Sequence, residues 1–333
     1  MRINTTPRFL PYLVGSGALK EEPFSLADVG ASGGIEPHWR CFGEALKAVG
    51  FDMLVNEVDR LNKEEPNPTV RYRAGRVGYA RYAELIGGSQ FSTNIQERSS
   101  SRRALELLRV SHVDTYDRTG TGVTSSEFIE LDDYFLRVAP ADIDFIKTDA
   151  DSHDYEVLLG AKQLIAQAPV MGLLVEAPFS GGLNPAATLF ANVDVFLRNL
   201  GFSLFDFDLR RYSRAALPKP FRWMQPCETE SGQLNWADCL YLRDLGIEGY
   251  EEHWKVTVST SKLLKLCCLH ELFGLEDCAA EVLLKYRDSL SKHVDVEACL
   301  DLLTPALPDG RQVSYREYIQ FFENNVESFY SGR

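Results

Sequence analysis

The sequence predicts an α/β fold in which seven strands form a mostly parallel sheet, followed by a helical C-terminal appendage. Strand-like and helix-like segments alternate from about residue 25 to about residue 200, which is typical of parallel sheets covered by helices on both faces. One segment, Val170–Val175, is almost entirely apolar, as expected for a strand buried on both faces. After about residue 246 the strand-like segments stop and amphipathic helical segments follow.

The first strand is predicted at Ser25–Val29 and leads into a glycine-rich turn, Gly30-Ala-Ser-Gly-Gly34. Pro37 suits the first turn of a helix, because its missing N–H would have no partner there. Gly50 is a natural residue to end that helix, whose apolar positions are Trp39, Phe42, Leu46 and Val49. The other six strands are predicted at Met53–Asn56, Val70–Ala74, Ile143–Thr148, Val170–Val175, Phe202–Phe207 and Asp238–Leu242.

These elements divide the chain into an N-terminal extension (1–23), an α/β domain (24–245) and a helical C-terminal region (246–333). Two connections in the α/β domain, 75–142 and 208–237, are longer than ordinary loops and indicate extra elements or function. The last helix is the clearest, because Ser314 and Glu317 form a capping-box pattern. The apolar faces of the C-terminal helices could pack on the sheet domain or on a second subunit, which would give a homodimer.

Composition limits the classes of partner. The 333 residues are 45% hydrophobic, enough to bury a core, and the formal net charge is −13. That charge argues against a general nucleic-acid or anionic-membrane surface, although a local basic patch remains open. Seven cysteines without a CxxC pair predict reduced thiols and a cytoplasmic location. No apolar run approaches the roughly 18 residues of a membrane span, so we expect neither a membrane nor a nucleic-acid partner.

The glycine turn is the first candidate for a ligand site. Glycines at a strand end let the backbone turn sharply and approach a ligand closely. Glu57 is expected at the end of the second predicted strand, where a carboxylate can accept both hydroxyl protons of a ribose. Ligands of open α/β sheets bind outside the carboxyl ends of the strands, so Gly30 and Glu57 should lie on one edge.

Three ligand classes compete for this turn. A dinucleotide pattern fits poorly, because Ser32 and Ile35 stand where Gly-x-Gly-x-x-Gly requires glycine. The segment also matches the Gly-x-Ser-x-Gly elbow of serine hydrolases, with Ser32 as the nucleophile. The third class is an S-adenosylmethionine site, with Asp28 two residues before the first glycine and Glu57 as the ribose acid. A plain tight turn is the remaining alternative.

Several segments carry a family resemblance: Leu26–Gly34, Leu131–Asp133, Ile143–Asp149, Glu156–Ala161, Leu173–Glu176 and Gly201–Phe205. Over about residues 24–243 the chain resembles FkbM-type class I methyltransferases. The resemblance implies a Rossmann-like seven-stranded fold, S-adenosyl-L-methionine as cofactor, and O-methylation of a hydroxyl on a small molecule or sugar. The cofactor-binding residues it implies are Asp28, Gly30, Ala31, Ser32, Gly33, Glu57 and Asp149. A methyltransferase-like binding protein without catalysis is the non-enzymatic alternative.

Methyl transfer needs an aligned nucleophile, and a hydroxyl is a weak one until a base takes its proton. The catalytic candidates beyond the fourth and fifth predicted strands are Asp149, His153 and Glu176, with Asp151 close by. Asp149, Asp151 and Glu176 could also hold Mg²⁺, although their spacing does not demand a metal. In the basic connection 208–222, Arg211 and Arg214 are expected to bind an anionic acceptor, such as a phosphate-bearing sugar.

Overall fold

The computed structural model describes residues 1–86, 95, 98–108, 123–151, 153–167, 170–224 and 227–330. The chain forms two compact units, each built from separate stretches of sequence. The first comprises Ser25–Ile35 and Lys47–Arg243 together with Met1. The second comprises Arg2–Phe24, Glu36–Leu46 and Asp244–Arg333.

The strands are β1 (Phe24–Val29), β2 (Leu46–Asp52), β3 (Val70–Ala74), β4 (Arg76–Val77), β5 (Phe128–Ile129), β6 (Phe145–Thr148), β7 (Gly172–Pro178), β8 (Phe202–Tyr212) and β9 (Gln233–Arg243). Seven of them form one sheet in the order β3-β2-β1-β6-β7-β9-β8, and β4 pairs with β5 separately. Strand β9 runs antiparallel to both β7 and β8, while β2–β3, β1–β6 and β6–β7 are parallel pairs. The predicted seven-stranded, mostly parallel α/β sheet is confirmed.

The α-helices are α1 (Phe9–Ser16), α2 (Val55–Glu64), α3 (Tyr82–Leu85), α4 (Ser100–Leu108), α5 (Leu131–Asp133, continued by a π-helical turn at Tyr134–Val138), α6 (Asp154–Leu159), α7 (Lys162–Gln167), α8 (Phe190–Arg198), α9 (Tyr250–Trp254), α10 (Thr260–Leu272), α11 (Glu276–Lys285), α12 (Arg287–Leu290), α13 (Val296–Leu303) and α14 (Tyr315–Asn324). Short 3₁₀ helices span Pro37–Ala45 and Val326–Phe329. Among the described residues, no helix has both the length and the apolar character needed to cross a bilayer.

The core of the first unit lies between the sheet and its helices. Strand residues Ala27, Phe51, Ile146, Leu173 and Tyr241 belong to one buried apolar cluster, which also takes in residues of α6, α7 and α8. Such a core removes apolar surface from water, at roughly 25 cal/mol per Å². It therefore fixes the strand ends, which carry the polar residues described below.

The predicted course of the chain after the glycine turn is wrong. The helix expected to continue through Val49 is a short 3₁₀ helix that ends at Ala45, with Gly43 in the left-handed region (φ +52°). Strand β2 follows directly and ends at Asp52, whereas the strand was predicted at Met53–Asn56. Gly50 does not end a helix. It lies within β2, where an added Cβ would come within 2.9 Å of the Ala31 methyl and closer still to Tyr72.

The second unit contains α1, the first 3₁₀ helix and α9–α14. Phe24 stacks on Phe42 with ring centroids 4.1 Å apart, and Trp39 packs edge-on against Phe273 at 5.9 Å. The buried carboxylate of Glu271 accepts the backbone N–H groups that begin α1, at 2.6–2.8 Å. This arrangement satisfies the donors that a helix N-terminus leaves unpaired and places a negative charge where the helix dipole favours it.

The capping box predicted at the last helix is confirmed. Ser314 and Glu317 bond reciprocally at the start of α14, although none of the α14 side chains is buried. All seven cysteines are free thiols, as the sequence predicts.

Candidate functional site

The glycine turn joins the ends of three strands. The N–H groups of Gly30 and Ala31 both donate to the carbonyl oxygen of Phe51, at 2.9 and 3.0 Å. Gly30 has φ +81°, and an added Cβ there would lie 1.9 Å from the carbonyl oxygen of Asp149. Only glycine fits this close approach without displacing backbone. Gly30 therefore locks the carboxyl ends of β1, β2 and β6 together.

Gly33 occupies a different environment in the same turn. It also has positive φ (+85°), but an added Cβ would meet nothing within 4 Å. The turn is closed by the Gly34 N–H, which donates to the carbonyl of Ala31 at 2.9 Å. Ser32 is exposed at the top of the turn, and its φ is not positive. The space beside Gly33 is where another molecule could approach the backbone.

The structure corrects the position of Glu57. The residue lies in the first turn of α2, not at a strand end, and it is only 4% exposed. Its carboxylate accepts the N–H of Gly33 at 3.0 Å and two N–H groups of Arg60 at 2.6 and 2.9 Å. The hydrogen bonds from Arg60 hold the pKa of Glu57 below its ordinary value. Glu57 is thus an ionised group that holds the glycine turn.

Asp52 is the carboxylate that ends β2. Its Oδ1 accepts the backbone N–H of Leu54 at 2.8 Å, and the side chain is partly exposed. Burial raises the pKa of Asp52, and the charges of Glu57 and Asp151 add to that rise. Sequence reasoning missed Asp52 because it assigned the preceding residues to a helix. In the structure, burial alternates from Leu46 to Gly50 as in a strand, but the residue types of Leu46–Asp52 do not alternate in the sequence.

Asp28 and Asp149 share a buried lysine. Lys147 Nζ lies 3.4 Å from Asp28 Oδ1 and 3.4 Å from Asp149 Oδ2. Asp28 is fully buried opposite Lys147 in the β1–β6 pair, whereas the Asp149 side chain is 52% exposed. Asp28 therefore anchors the lysine from inside the sheet, and Asp149 presents its carboxylate at the surface.

Acidic residues continue across the same edge of the sheet. Thr148 and Val175 are partners in the β6–β7 pair, so the next residues, Asp149 and Glu176, are neighbours. Glu176 is in turn opposite Asp238, and Asp238 is opposite Asp208. We call these four side chains (Asp149, Glu176, Asp238 and Asp208) the carboxylate row. Arg210 partly neutralises its negative charge, with contacts of 3.2 Å to Asp238 and 2.6 Å to Asp208.

The carboxylate row changes the protonation of its members. Burial, followed by the charges of Asp154 and Asp149, raises the pKa of Glu176 to about 9. Burial also raises the pKa of Asp154 to about 7 and that of Asp238 to about 6. A raised pKa favours the protonated form at neutral pH, so burial among these carboxylates favours Glu176 as a hydrogen-bond donor. The exposed carboxylate beside it is Asp149.

His153 has a partner that fixes its ring. Its Nδ1 lies 3.1 Å from Oε2 of the buried Glu156, and half of the imidazole is exposed. The hydrogen bond with Glu156 raises the pKa of His153. Glu156 also contacts Arg76 at 3.1 Å. Because Glu156 engages Nδ1, Nε2 is the ring nitrogen at which His153 would exchange a proton.

Arg211 and Arg214 lie at the end of β8 and just beyond it, both partly exposed. Arg211 Nη1 donates to the Gly232 carbonyl at 3.3 Å, and Arg214 contacts the Gln233 side chain. Within the part of the chain that the structure describes, no group of three or more His, Cys, Asp or Glu side chains is arranged to hold a metal ion.

Solved structures resemble the chain at low similarity. A TehB-like SAM-dependent methyltransferase from Corynebacterium glutamicum shares 9% identity, with a TM-score of 0.29 and coverage of 71% of this chain and 87% of that one. Magnesium protoporphyrin IX methyltransferase from Synechocystis with bound SAM shares 12% identity (TM-score 0.28; coverage 70% and 76%). With bound SAH, that enzyme gives 13% identity, a TM-score of 0.29 and coverage of 70% and 79%.

A comparison with curated protein sequences finds no significant match. A family model described as the methyltransferase FkbM domain matches residues 28–204, more than half of the chain. This range begins at Asp28, before the glycine turn, and ends in β8, so it contains the turn, Asp52 and the acidic strand ends of β6 and β7. The chain therefore belongs to the FkbM family of methyltransferases.

Proposed function

We propose that the protein is an S-adenosyl-L-methionine-dependent O-methyltransferase that acts on a hydroxyl of a small molecule or sugar. The observation that carries this proposal is the open backbone beside Gly33, on the same sheet edge as the carboxylate of Asp52. Family membership supplies the reaction class. The proposal goes beyond family membership by naming the methyl acceptor, a hydroxyl of a small molecule or sugar.

The residues at this edge suit the cofactor chemically. S-adenosylmethionine carries a sulfonium and an ammonium charge, and Asp52 and Asp151 are carboxylates whose charges interact there. Asp52 would accept the ribose hydroxyl protons. Gly30, Ala31, Ser32 and Gly33 would shape the methionine end of the site.

Two residues predicted as cofactor contacts, Glu57 and Asp28, take supporting roles in this proposal. Glu57 would hold the turn through Gly33, because Arg60 and that N–H already engage both of its oxygens. Asp28 would act through Lys147, which ties it to Asp149. Asp149 itself would face both the cofactor and the acceptor.

When bound, the cofactor supplies an electrophilic methyl group. Asp149 would accept a hydrogen bond from the acceptor hydroxyl and orient its oxygen for in-line attack. Glu176, protonated at neutral pH, would donate to Asp149 and keep that carboxylate in place. His153, with its Nδ1 side held by Glu156, is the second candidate to take the hydroxyl proton. Arg211 and Arg214 would contact an anionic group of the acceptor.

No observation favours a serine hydrolase. The residues of the turn with positive φ are Gly30, Gly33 and Gly34, which adopt it without strain, whereas a hydrolase elbow places its serine in a strained conformation. Within the described residues, no imidazole hydrogen-bonds the Ser32 hydroxyl.

We also infer a cytoplasmic location, which the seven free thiols support.

Two measurements test the proposal. Calorimetry with S-adenosylhomocysteine should show binding that Asp52→Asn weakens. Incubation with S-adenosylmethionine carrying a labelled methyl group should then transfer label to a member of a panel of sugars and hydroxylated small molecules. Binding with no transfer to any hydroxyl would favour the non-catalytic alternative. Absence of binding would contradict the cofactor assignment.

A homodimer through the C-terminal helices is a separate proposal, which the mass in solution tests.

A further inference from the structure

The end of the glycine turn is held by a side chain of the edge strand β3, Tyr72. The N–H of Ile35 donates to the Tyr72 hydroxyl at 3.1 Å, and both residues are buried. The hydroxyl in turn donates to Glu65 Oε2 at 2.9 Å. Because its proton points to that carboxylate, a lone pair remains for the Ile35 N–H. A side-chain hydroxyl therefore satisfies a buried backbone donor of the turn.

The backbone and the ring of Tyr72 are fixed as well. Its N–H donates to Asn62 Oδ1 at 2.9 Å, and its carbonyl accepts from Asn62 Nδ2 at 2.8 Å, which ties β3 to α2. Tyr72 is opposite Gly50 in the β2–β3 pair, and a Cβ added to Gly50 would come within 2.6 Å of the ring. A Cβ added to Gly34 would lie 3.2 Å from the hydroxyl. Two glycines thus leave room for the side chain to extend from β3 to the turn.

The turn is consequently held from two sides. The Gly33 N–H donates to Glu57 of α2, and the Ile35 N–H donates to Tyr72 of β3. Packing alone does not require a hydroxyl at residue 72, because a phenylalanine ring would fill the same space. The hydroxyl adds a fixed direction for the Ile35 N–H, and with it a fixed course of the backbone from Gly33 to Ile35. That backbone borders the open space beside Gly33, which the proposed ligand approaches.

We propose that Tyr72 is a positioning residue for the cofactor, whose hydroxyl sets the shape of the glycine turn that receives the methionine end of S-adenosylmethionine. The inference rests on the proposed function, in which the turn binds the methionine end and Asp52 binds the ribose. Tyr72 acts through the turn and not through contact with the ligand. A buried N–H that loses its acceptor carries a cost that a backbone shift can relieve. Loss of the hydroxyl should therefore distort the turn and weaken binding of the methionine end alone.

The binding of two ligands tests the role of Tyr72. S-adenosylhomocysteine contains a nucleoside and an amino acid, whereas methylthioadenosine keeps the nucleoside and the sulfur and lacks the amino acid. Calorimetry on Tyr72→Phe should show a loss of about five-fold in affinity for S-adenosylhomocysteine and an unchanged affinity for methylthioadenosine. Asp52→Asn should instead weaken both ligands, because both carry the ribose.

Tyr241→Phe is the matched control. Tyr241 is fully buried in β9, and its hydroxyl donates to Asp194 Oδ1 at 3.2 Å, so this variant also removes one hydrogen bond of a buried tyrosine. Strands β2, β1, β6 and β7 lie between β3 and β9 in the sheet. We expect the two variants to lower the Tm by similar amounts, while Tyr241→Phe keeps the wild-type affinity for both ligands.

The outcomes separate the role of Tyr72 from the proposed function. A wild-type protein that does not bind S-adenosylhomocysteine would overturn the proposed cofactor site and the role of Tyr72 with it. If the wild type binds and Tyr72→Phe binds S-adenosylhomocysteine equally well, only the role of Tyr72 is overturned. The same holds if Tyr72→Phe weakens both ligands equally, or if Tyr241→Phe weakens S-adenosylhomocysteine as much as Tyr72→Phe does.

Discussion

The carboxylate of Glu57 accepts a hydrogen bond from the backbone N–H of Gly33 across 3.0 Å, so a helix side chain holds the glycine turn in place. Arg60 completes the arrangement by donating to both oxygens of Glu57. The acid that the sequence suggested as a ligand contact is therefore occupied within the protein. In the proposed site, Asp52 at the end of β2 is the carboxylate that would meet the ribose.

Exchange of Asp52 for asparagine should weaken S-adenosylhomocysteine binding by about 2 kcal/mol, because a charged acceptor of hydroxyl protons is lost. Calorimetry on the wild type and Asp52→Asn measures this change. Glu57→Gln should behave differently and lower the Tm by about 2–4 °C, since the ion pair with Arg60 and the support of the turn are weakened. If Glu57→Gln abolished binding at unchanged Tm while Asp52→Asn had no effect, the two roles would have to be exchanged.

Replacement of Gly33 by alanine should affect both protein stability, through the positive φ, and ligand affinity, through the space that the methyl group fills. The position has φ +85° and open space around it, so the cost in stability should be about 1 kcal/mol. The methyl group would also enter the space proposed for the ligand, and we expect S-adenosylhomocysteine affinity to fall at least ten-fold. Gly17→Ala is the matched control, with φ +79° and equally open space at the end of α1. Equal affinities for the two variants would refute the placement of the ligand.

Glu176 should make the protein less stable as the pH rises. Its pKa is about 9 in the folded protein against an ordinary value of 4.5, so the folded state binds more protons than the unfolded state between these values. Stability therefore falls as the pH rises through that window. Glu176→Gln removes the effect and should raise the Tm by at least about 2–4 °C near pH 9.

Thermal unfolding from pH 5 to pH 9 measures the gain from Glu176→Gln, which should shrink toward pH 5. The exposed Glu44 supplies the control variant Glu44→Gln. A Glu176→Gln protein with the same pH dependence as the wild type would contradict the assignment. Because Asp154 and Asp238 also have raised pKa values, part of the pH dependence should remain in the variant.

The imidazole of His153 should titrate above its ordinary value of 6.5, since the hydrogen bond to Glu156 favours the charged form. A raised histidine pKa contributes stability below about pH 6.5 that is lost as the pH rises through the folded value. NMR titration should show a lower pKa for His153 in Glu156→Gln. The exposed His293 serves as the internal reference in the same spectra. An unchanged titration of His153 would mean that the contact with Glu156 does not form in solution.

Local patterns predicted some elements fully and others not at all. Strand β3 has the predicted bounds, Val70–Ala74, because alternating side chains mark a strand without help from distant residues. The capping box at Ser314 is equally local. Gly50 misled the prediction because its need for glycine comes from Tyr72 and Ala31, contacts that appear only once the sheet has formed. Because Leu46–Val49 was assigned to a helix, the predicted strand moved to Met53–Asn56 and Asp52, the residue that ends β2, was missed.

The anchoring of α1 by Glu271 has a consequence for how the chain is made. The hydrogen bond from Leu10 to Glu271 joins residues 261 positions apart. At a ribosomal rate of about 5–20 residues per second, the nascent helix would wait on the order of 13–50 seconds for the carboxylate that caps it. During that interval its apolar residues Phe9, Leu10 and Leu13 have no C-terminal helices to cover them, which makes this helix a natural client for ribosome-associated chaperones.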